Sequence, residues 1–350
     1  MPRRARPRSA AGSRPSSSSG WPIAGCASCA GGRSSISAPE PEPDAAAGSH
    51  GAALDRLPPL REVIRRAGLA ADKRLGQHFL LDPAILRRIA LAAGPLEGAT
   101  VLEVGPGPGG LTRALLAAGA ARVVAVERDP RCIAALAELV AAAAGRLELV
   151  EGDALAFPIE GLAPPGALVI VGNLPYNIGT ELLIGWLRRA DAIARMVLLF
   201  QREVALRLAA APGGPDYGRL SVSAQLVCRV ERLFDLEPGA FVPPPEVRST
   251  LVRLVPRPDR PPPELLARVE RLTAAAFGRR RKMLRRSLTP LWPDPEPVLR
   301  SLGVPPTARA EELAPETFRR LAERLPASAD QPPVAPGPAR NCWTNSERNG

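Results

Sequence analysis

The chain has 350 residues, and 46 Lys and Arg against 35 Asp and Glu give it a formal net charge of +11. That length fits one large domain or two modest ones plus tails, and the charge favours an anionic partner such as nucleic acid. The only two histidines, His50 and His78, cannot form the clustered imidazoles of most catalytic zinc sites, so no metal is expected; five scattered cysteines argue against a disulfide framework and for a reducing compartment.

Residues 1–50 are dense in Pro, Ser, Arg and Gly, carry six Arg and no acid within the first 39 positions, and lack periodic apolar residues. Such a stretch cannot offset the entropy of ordering, so a disordered N-terminal extension is expected, with an organelle transit peptide as the alternative. Cys26 and Cys29 have metal or redox spacing there, but with no second pair nearby the spacing is read as accidental. Further along, short β-branched runs alternate with Ala/Leu-rich helical stretches. Strands are predicted at Thr100–Val104, Arg122–Glu127, Leu147–Val150, Leu168–Val171 and Met196–Phe200. Helices are predicted at Gly110–Ala118, Pro130–Ala143, Thr180–Arg189 and Arg202–Ala210. Successive βα units with nearly continuous apolar strands imply an α/β fold with a parallel sheet covered on both faces. Leu220–Cys228 and Thr250–Val255 read as further strands, and Pro263 to about Arg324 reads as helix interrupted by prolines. A boundary is placed near 256–263, and residues 327–350 read as a disordered tail. No apolar run approaches the roughly 20 residues needed to cross a bilayer, so a soluble protein is expected; a bacterial cytoplasm and a monomer are the default expectations, with a mitochondrion or plastid as the alternative compartment.

Three turns carry the chemistry. The first predicted strand runs into Gly105-Pro106-Gly107-Pro108-Gly109-Gly110, where glycines allow close backbone approach of a ligand. Glu127 ends the next strand, where a carboxylate can accept from both hydroxyls of a ribose. NAD and S-adenosylmethionine both satisfy this arrangement, and Glu103 with the interposed prolines favours the methyl donor. Asp153, after the third strand, is placed to accept the exocyclic amine of an adenine. After the fourth strand comes Asn173-Leu174-Pro175-Tyr176. A purine amino group is a poor nucleophile because its lone pair is delocalised into the ring. A side-chain amide oxygen (Asn173) and a backbone carbonyl (Leu174) would hold both N–H bonds, Pro175 would stiffen the turn, and the Tyr176 face would stack the extruded base. No strong general base is required, because the amine becomes acidic only as it is methylated.

These turns lie among further segments: Lys73-Arg74-Leu75-Gly76-Gln77-His78-Phe79-Leu80-Leu81-Asp82, Gln201-Arg202-Glu203-Val204-Ala205, Tyr217-Gly218-Arg219-Leu220-Ser221-Val222, Phe241-Val242-Pro243-Pro244-Pro245-Glu246-Val247-Arg248-Ser249 and Phe277-Gly278-Arg279-Arg280-Arg281-Lys282-Met283-Leu284-Arg285-Arg286. From about Lys73 to Leu321 the sequence resembles the adenine N6,N6-dimethyltransferases of small-subunit ribosomal RNA. The resemblance implies a Rossmann-like class I S-adenosylmethionine-dependent methyltransferase sheet over about 72–256, with a smaller C-terminal helical domain over about 263–325. It implies donor contacts at His78, Leu80, Gly105, Glu127, Asp153 and Asn173, and a second aromatic, Phe241, flanking the target adenine with Tyr176. It also implies dimethylation of two adjacent adenines in the 3′-terminal hairpin of 16S rRNA during subunit biogenesis. Arg279, Arg280, Arg281, Lys282, Arg285 and Arg286, expected on a helix, would neutralise rRNA phosphates. One position departs: Glu246 stands where the family usually has Lys, and it is not expected to touch RNA. The rivals are a 23S rRNA adenine methyltransferase of the macrolide-resistance type, a non-catalytic rRNA-binding assembly factor, and an NAD-dependent oxidoreductase.

Overall fold

Val101, Val123, Ala125, Val169 and Val171 pack into one apolar core, while Leu102, Val104, Val124, Val126, Leu168 and Ile170 pack into another. This strict alternation follows from the two-residue side-chain period of a strand, and it means that the sheet is buried on both faces. The computed structural model describes residues 53–69, 76–278 and 282–325; the expected extension, including the Cys26/Cys29 pair, and the expected tail lie outside them. The strands are β1 (Phe79–Leu80), β2 (Thr100–Val104), β3 (Arg122–Glu127), β4 (Leu147–Glu151), β5 (Leu168–Asn173), β6 (Ile193–Gln201), β7 (Cys228–Leu236), β8 (Phe241–Val242) and β9 (Ser249–Pro256). Among the described residues a seven-stranded sheet has the order β4-β3-β2-β5-β6-β9-β7; the first five strands are parallel, and β9 runs antiparallel to both neighbours. A separate two-stranded ladder pairs Leu80 with Phe241. It pins the segment before the sheet to the loop that follows β7.

The helices are α1 (Leu60–Arg66), α2 (Pro83–Ala92), α3 (Gly110–Ala117), α4 (Pro130–Ala135), α5 (Ala137–Ala142), α6 (Gly179–Leu187), α7 (Arg202–Ala209), α8 (Arg219–Val227), α9 (Pro263–Phe277), α10 (Leu284–Ser287), α11 (Glu296–Ser301) and α12 (Pro315–Ala322). Two of them start on the same Asp-Pro signal. Asp82 accepts from the Ala84 N–H and Asp129 from the Arg131 N–H, each followed by a proline at the first helical position. The helix expected at Pro130–Ala143 is parted at Leu136 into α4 and α5.

The strand expected at Leu220–Cys228 is instead α8, and β7 begins only at Cys228. Leu220, Ala224 and Val227 enter one sheet core, while Val222 and Leu226 enter the core of the C-terminal helices. A helix buried on two sides has apolar residues nearly all round, so its run reads as a buried strand. Its true start signal is Ser221, whose Oγ accepts from the Gly218 N–H at 3.0 Å. Nearby, the Tyr217 hydroxyl donates to the Leu313 carbonyl at 2.8 Å, tying α8 to the helical segment.

The glycine turn between β2 and α3 shows why glycine is required. Gly109 has φ +84°, and a Cβ there would sit 2.6 Å from Leu136 Cδ2 and 2.7 Å from Leu139 Cδ2. Gly109→Ala is expected to destabilise the fold by about 2–4 kcal/mol, from the left-handed backbone and overpacking together. Urea denaturation would measure it, and an unchanged midpoint would contradict the packing assigned to this turn.

Candidate active site

A cleft of about 140 Å³ opens beyond the C-terminal ends of β2, β3, β4 and β5. His78, Leu80, Gly105, Glu127, Asp153, Asn173, Leu174, Pro175 and Tyr176 all line it. Parallel βα units build such a crevice because each strand delivers its following turn to the same sheet edge.

One side of the cleft is built from glycines and carboxylates. Gly105 and Gly107 both have positive φ, and Glu127 beside them is 6 % exposed. Its Oε2 accepts from the Gly107 N–H at 3.1 Å, while Oε1 accepts from the Arg128 and Asp129 N–H groups, both at 2.8 Å. A carboxylate offers about four lone-pair sites, so three are spent and Oε2 retains room for one more donor. Burial raises the Glu127 carboxyl above its usual range, and the three backbone donors act against that rise. Asp153 spends Oδ1 on the Leu155 N–H at 3.0 Å, leaving its second oxygen for a ligand.

Glu103 lies deeper. It is 1 % exposed and lines the cleft, and its Oε2 has no hydrogen-bond partner among the described residues. Burial pushes its carboxyl up to about 8, helped by the charge of Glu127 and opposed by the Thr112 hydroxyl. A buried acid with an unspent oxygen in the wall of a cleft suits a cationic ligand.

On the other side is the Asn173–Tyr176 turn. Asn173 ends β5, and its Nδ2 donates to the His78 carbonyl at 2.8 Å. That bond fixes which way the amide is flipped and leaves Oδ1 as its unspent acceptor. Leu174 is 2 % exposed and anchored in the core. The Pro175 carbonyl accepts from Ile178 and Gly179, so the turn continues directly into α6. The Tyr176 hydroxyl is hydrogen-bonded to Ser249 Oγ at 2.5 Å, and burial raises its pKa. The two halves touch: a Cβ on Gly105 would lie 3.8 Å from the Pro175 ring.

A profile of the ribosomal RNA adenine dimethylase family matches residues 68–326. The chain belongs to that family. Two proteins named ribosomal RNA small subunit methyltransferase A are each 56% identical to it: one from Rhodospirillum rubrum over 274 residues, covering 78% of this chain and 94% of the relative, and one from Xanthobacter autotrophicus over 273 residues, covering 77% and 94%. Among solved structures, a dimethyladenosine transferase from Plasmodium falciparum matches with a TM-score of 0.60 at 27% identity, covering 70% of this chain and 96% of that one. The 23S rRNA methyltransferase ErmE matches with a TM-score of 0.55 at 31% identity, covering 71% and 99%. The sheet is thus that of the class I methyltransferases, and the chain is an rRNA adenine methyltransferase.

Within this family member, Phe241 departs from the expected arrangement. It is 1 % exposed, packs in the core with Leu199, Leu236 and Leu251, and does not line the cleft. Its pairing with Leu80 in the β1–β8 ladder commits it to that core. The basic run is also divided. Arg279, Arg280 and Arg281 lie outside the described residues, as do Lys73, Arg74 and Leu75. Lys282, Arg285 and Arg286 are exposed, but α9 ends at Phe277 and α10 spans only Leu284–Ser287, so they do not share one continuous helix. Arg285 additionally pairs with Glu296 at 3.5 Å. Glu246 is exposed. Sequence reasoning missed the partners that hold the site together: Asp129, which accepts from Gln77 Nε2 at 3.1 Å and whose carboxyl Arg131 holds down at about 2, and Ser249. The Asp-Pro cap signal singles out Asp129, and Ser249 is a fully buried polar residue that needs a partner. No helix of the described residues is long and apolar enough to cross a membrane.

Proposed function

We propose that this chain dimethylates N6 of two adjacent adenines in the 3′-terminal hairpin of 16S rRNA, with S-adenosylmethionine as methyl donor, in the cytoplasm and as a monomer. The observation that carries this reading is the Asn173 amide, whose Nδ2 donates to the His78 carbonyl and so orients the amide with its oxygen left to accept from an adenine amine. Small-subunit relatives at 56% identity against 31% for ErmE favour 16S over 23S rRNA.

The donor supplies an electrophilic methyl carbon. Gly105 and Gly107 let the backbone approach it, Glu127 Oε2 accepts one ribose hydroxyl, Asp153 accepts the adenine amine, and the backbone of His78 and Leu80 closes the cleft. Asn173 Oδ1 and the Leu174 carbonyl hold the target N6–H bonds, with the Tyr176 face beneath the base. As the new N–C bond would form and the methyl–sulfur bond break, its electron pair leaving with sulfur as a neutral thioether, the nitrogen would gain positive charge and its N–H groups become stronger donors, so both acceptors would bind the transition state more tightly than the ground state. The proton leaves to water afterwards. Residues about 263–325 act as the rRNA-binding domain, with Lys282, Arg285 and Arg286 on phosphates.

Incubation of the full-length chain with S-adenosylmethionine and immature small subunits lacking the modification should yield two dimethylated adenines in the 3′-terminal hairpin. Mass spectrometry of 16S rRNA fragments, with primer extension across both rRNAs, reads it. Modification of 23S rRNA instead, or none of either, overturns the reading.

A further inference from the structure

Burial of Phe241 raises the question of what faces the Tyr176 ring. The neighbour is the imidazole of His78, with ring centroids 5.3 Å apart and planes at 29°. His78 Nδ1 lies 2.9 Å from the Pro243 carbonyl. A carbonyl can only accept, so Nδ1 carries the hydrogen. The backbone carbonyl of the same residue takes the Asn173 amide. One residue thus touches both arms of the adenine site: Asn173 through its main chain, and Tyr176 through its side chain.

The surroundings hold it there. A Cβ on Gly76 would lie 3.0 Å from Asn177 Oδ1 and 3.4 Å from the Tyr176 nitrogen, so the 76–78 segment is pressed against the turn. Pro243, which anchors the ring, lies in the stretch linking β8 to β9, and Ser249, which anchors the Tyr176 hydroxyl, opens β9 at the end of that stretch. A base sandwiched between two rings needs two stacking distances, about 7 Å between their centroids. At 5.3 Å no base fits between His78 and Tyr176.

We propose that the His78 imidazole is a positioning residue for the target adenine: it backs the Tyr176 ring and ties it through Pro243 to the β8–β9 stretch, so that the base stacks on the opposite Tyr176 face. This rests on the proposed adenine methylation. The role is distinct from the donor contact of its main chain, which a side-chain change leaves in place.

Three full-length variants separate the contributions. His78→Ala removes ring and hydrogen bond, His78→Phe keeps a ring without the donor, and His78→Asn keeps a donor, Nδ2, near the position of Nδ1. With immature small subunits as substrate, His78→Ala is expected to lower kcat about tenfold or more, the size of one lost hydrogen bond and ring contact. S-adenosylmethionine affinity by calorimetry should stay within about threefold of the wild type, which also shows that the variant is folded, and His78→Asn and His78→Phe should each recover part of the rate. An unchanged or faster His78→Ala enzyme would identify the ring as a dispensable plug and overturn the proposal. So would a rate loss matched by an equal loss of donor affinity, or an Asn variant as slow as the Ala variant. If the wild type itself fails to methylate small subunits, it is the proposed function that falls.

Discussion

Asn173→Ala is expected to lower N6 methylation of immature small subunits by about 10²–10³-fold, the typical effect of removing one preorganised polar group aimed at developing charge. The loss should fall mainly on kcat. Adenine nitrogen is nearly neutral in the ground state and cationic in the transition state, so an acceptor on its N–H gains strength as the reaction proceeds. Only Oδ1 can play that part, because an amide N–H₂ cannot accept, and the bond from Nδ2 to the His78 carbonyl fixes the orientation of the amide. The fold should survive, since Asn173 is the last residue of β5 and only half-buried. Single-turnover methyl transfer with radiolabelled donor, alongside far-UV circular dichroism, would check both statements. A folded variant with wild-type rate would remove Asn173 from the reaction.

The same residue shows what was legible in the sequence. The Asn-Leu-Pro-Tyr turn could be placed after the fourth strand of a parallel sheet because the apolar strand Leu168–Val171 announces itself and the turn residues follow at once. Glu127 and Asp153 were legible by the same logic of position at a strand end. What the pattern could not carry were contacts between segments distant in the chain. The resemblance sets Phe241 beside the target adenine, and only the β1–β8 ladder shows that it is turned into the core. His78 and Tyr176 are 98 positions apart, and no local period records that their rings meet. The run at Leu220–Cys228 failed for a different reason: two cores claim opposite sides of α8, which erases the amphipathic signal that separates helix from strand.

Glu103→Gln should make the protein more stable in alkali and slightly less stable in acid. Burial keeps the native carboxyl protonated up to about 8, against an ordinary value of 4.5. Between those limits the folded chain binds a proton that the unfolded chain has lost, so stability falls as pH rises through that window. Below it both states are neutral and the acid costs little. Glutamine has no proton to lose, so its stability relative to the wild type should climb from a small deficit at pH 4–5 to a surplus that levels off above pH 8. The full linkage is at most about 5 kcal/mol. An amide N–H₂ left without a partner beside the orphan position would offset about 1–3 kcal/mol of it, leaving a Tm gain of roughly 5–15 °C at pH 9. Parallel Tm-versus-pH curves for the two proteins would contradict the burial assigned to this carboxyl. The destabilising acid is best understood through the cleft it lines: one of its oxygens is buried there without a partner, and a cation bound in the cleft would favour the ionised form. Donor affinity should therefore move opposite to stability, weaker in Glu103→Gln than in the wild type and rising with pH only in the wild type, so the two readouts together separate a ligand-facing acid from an ill-packed one.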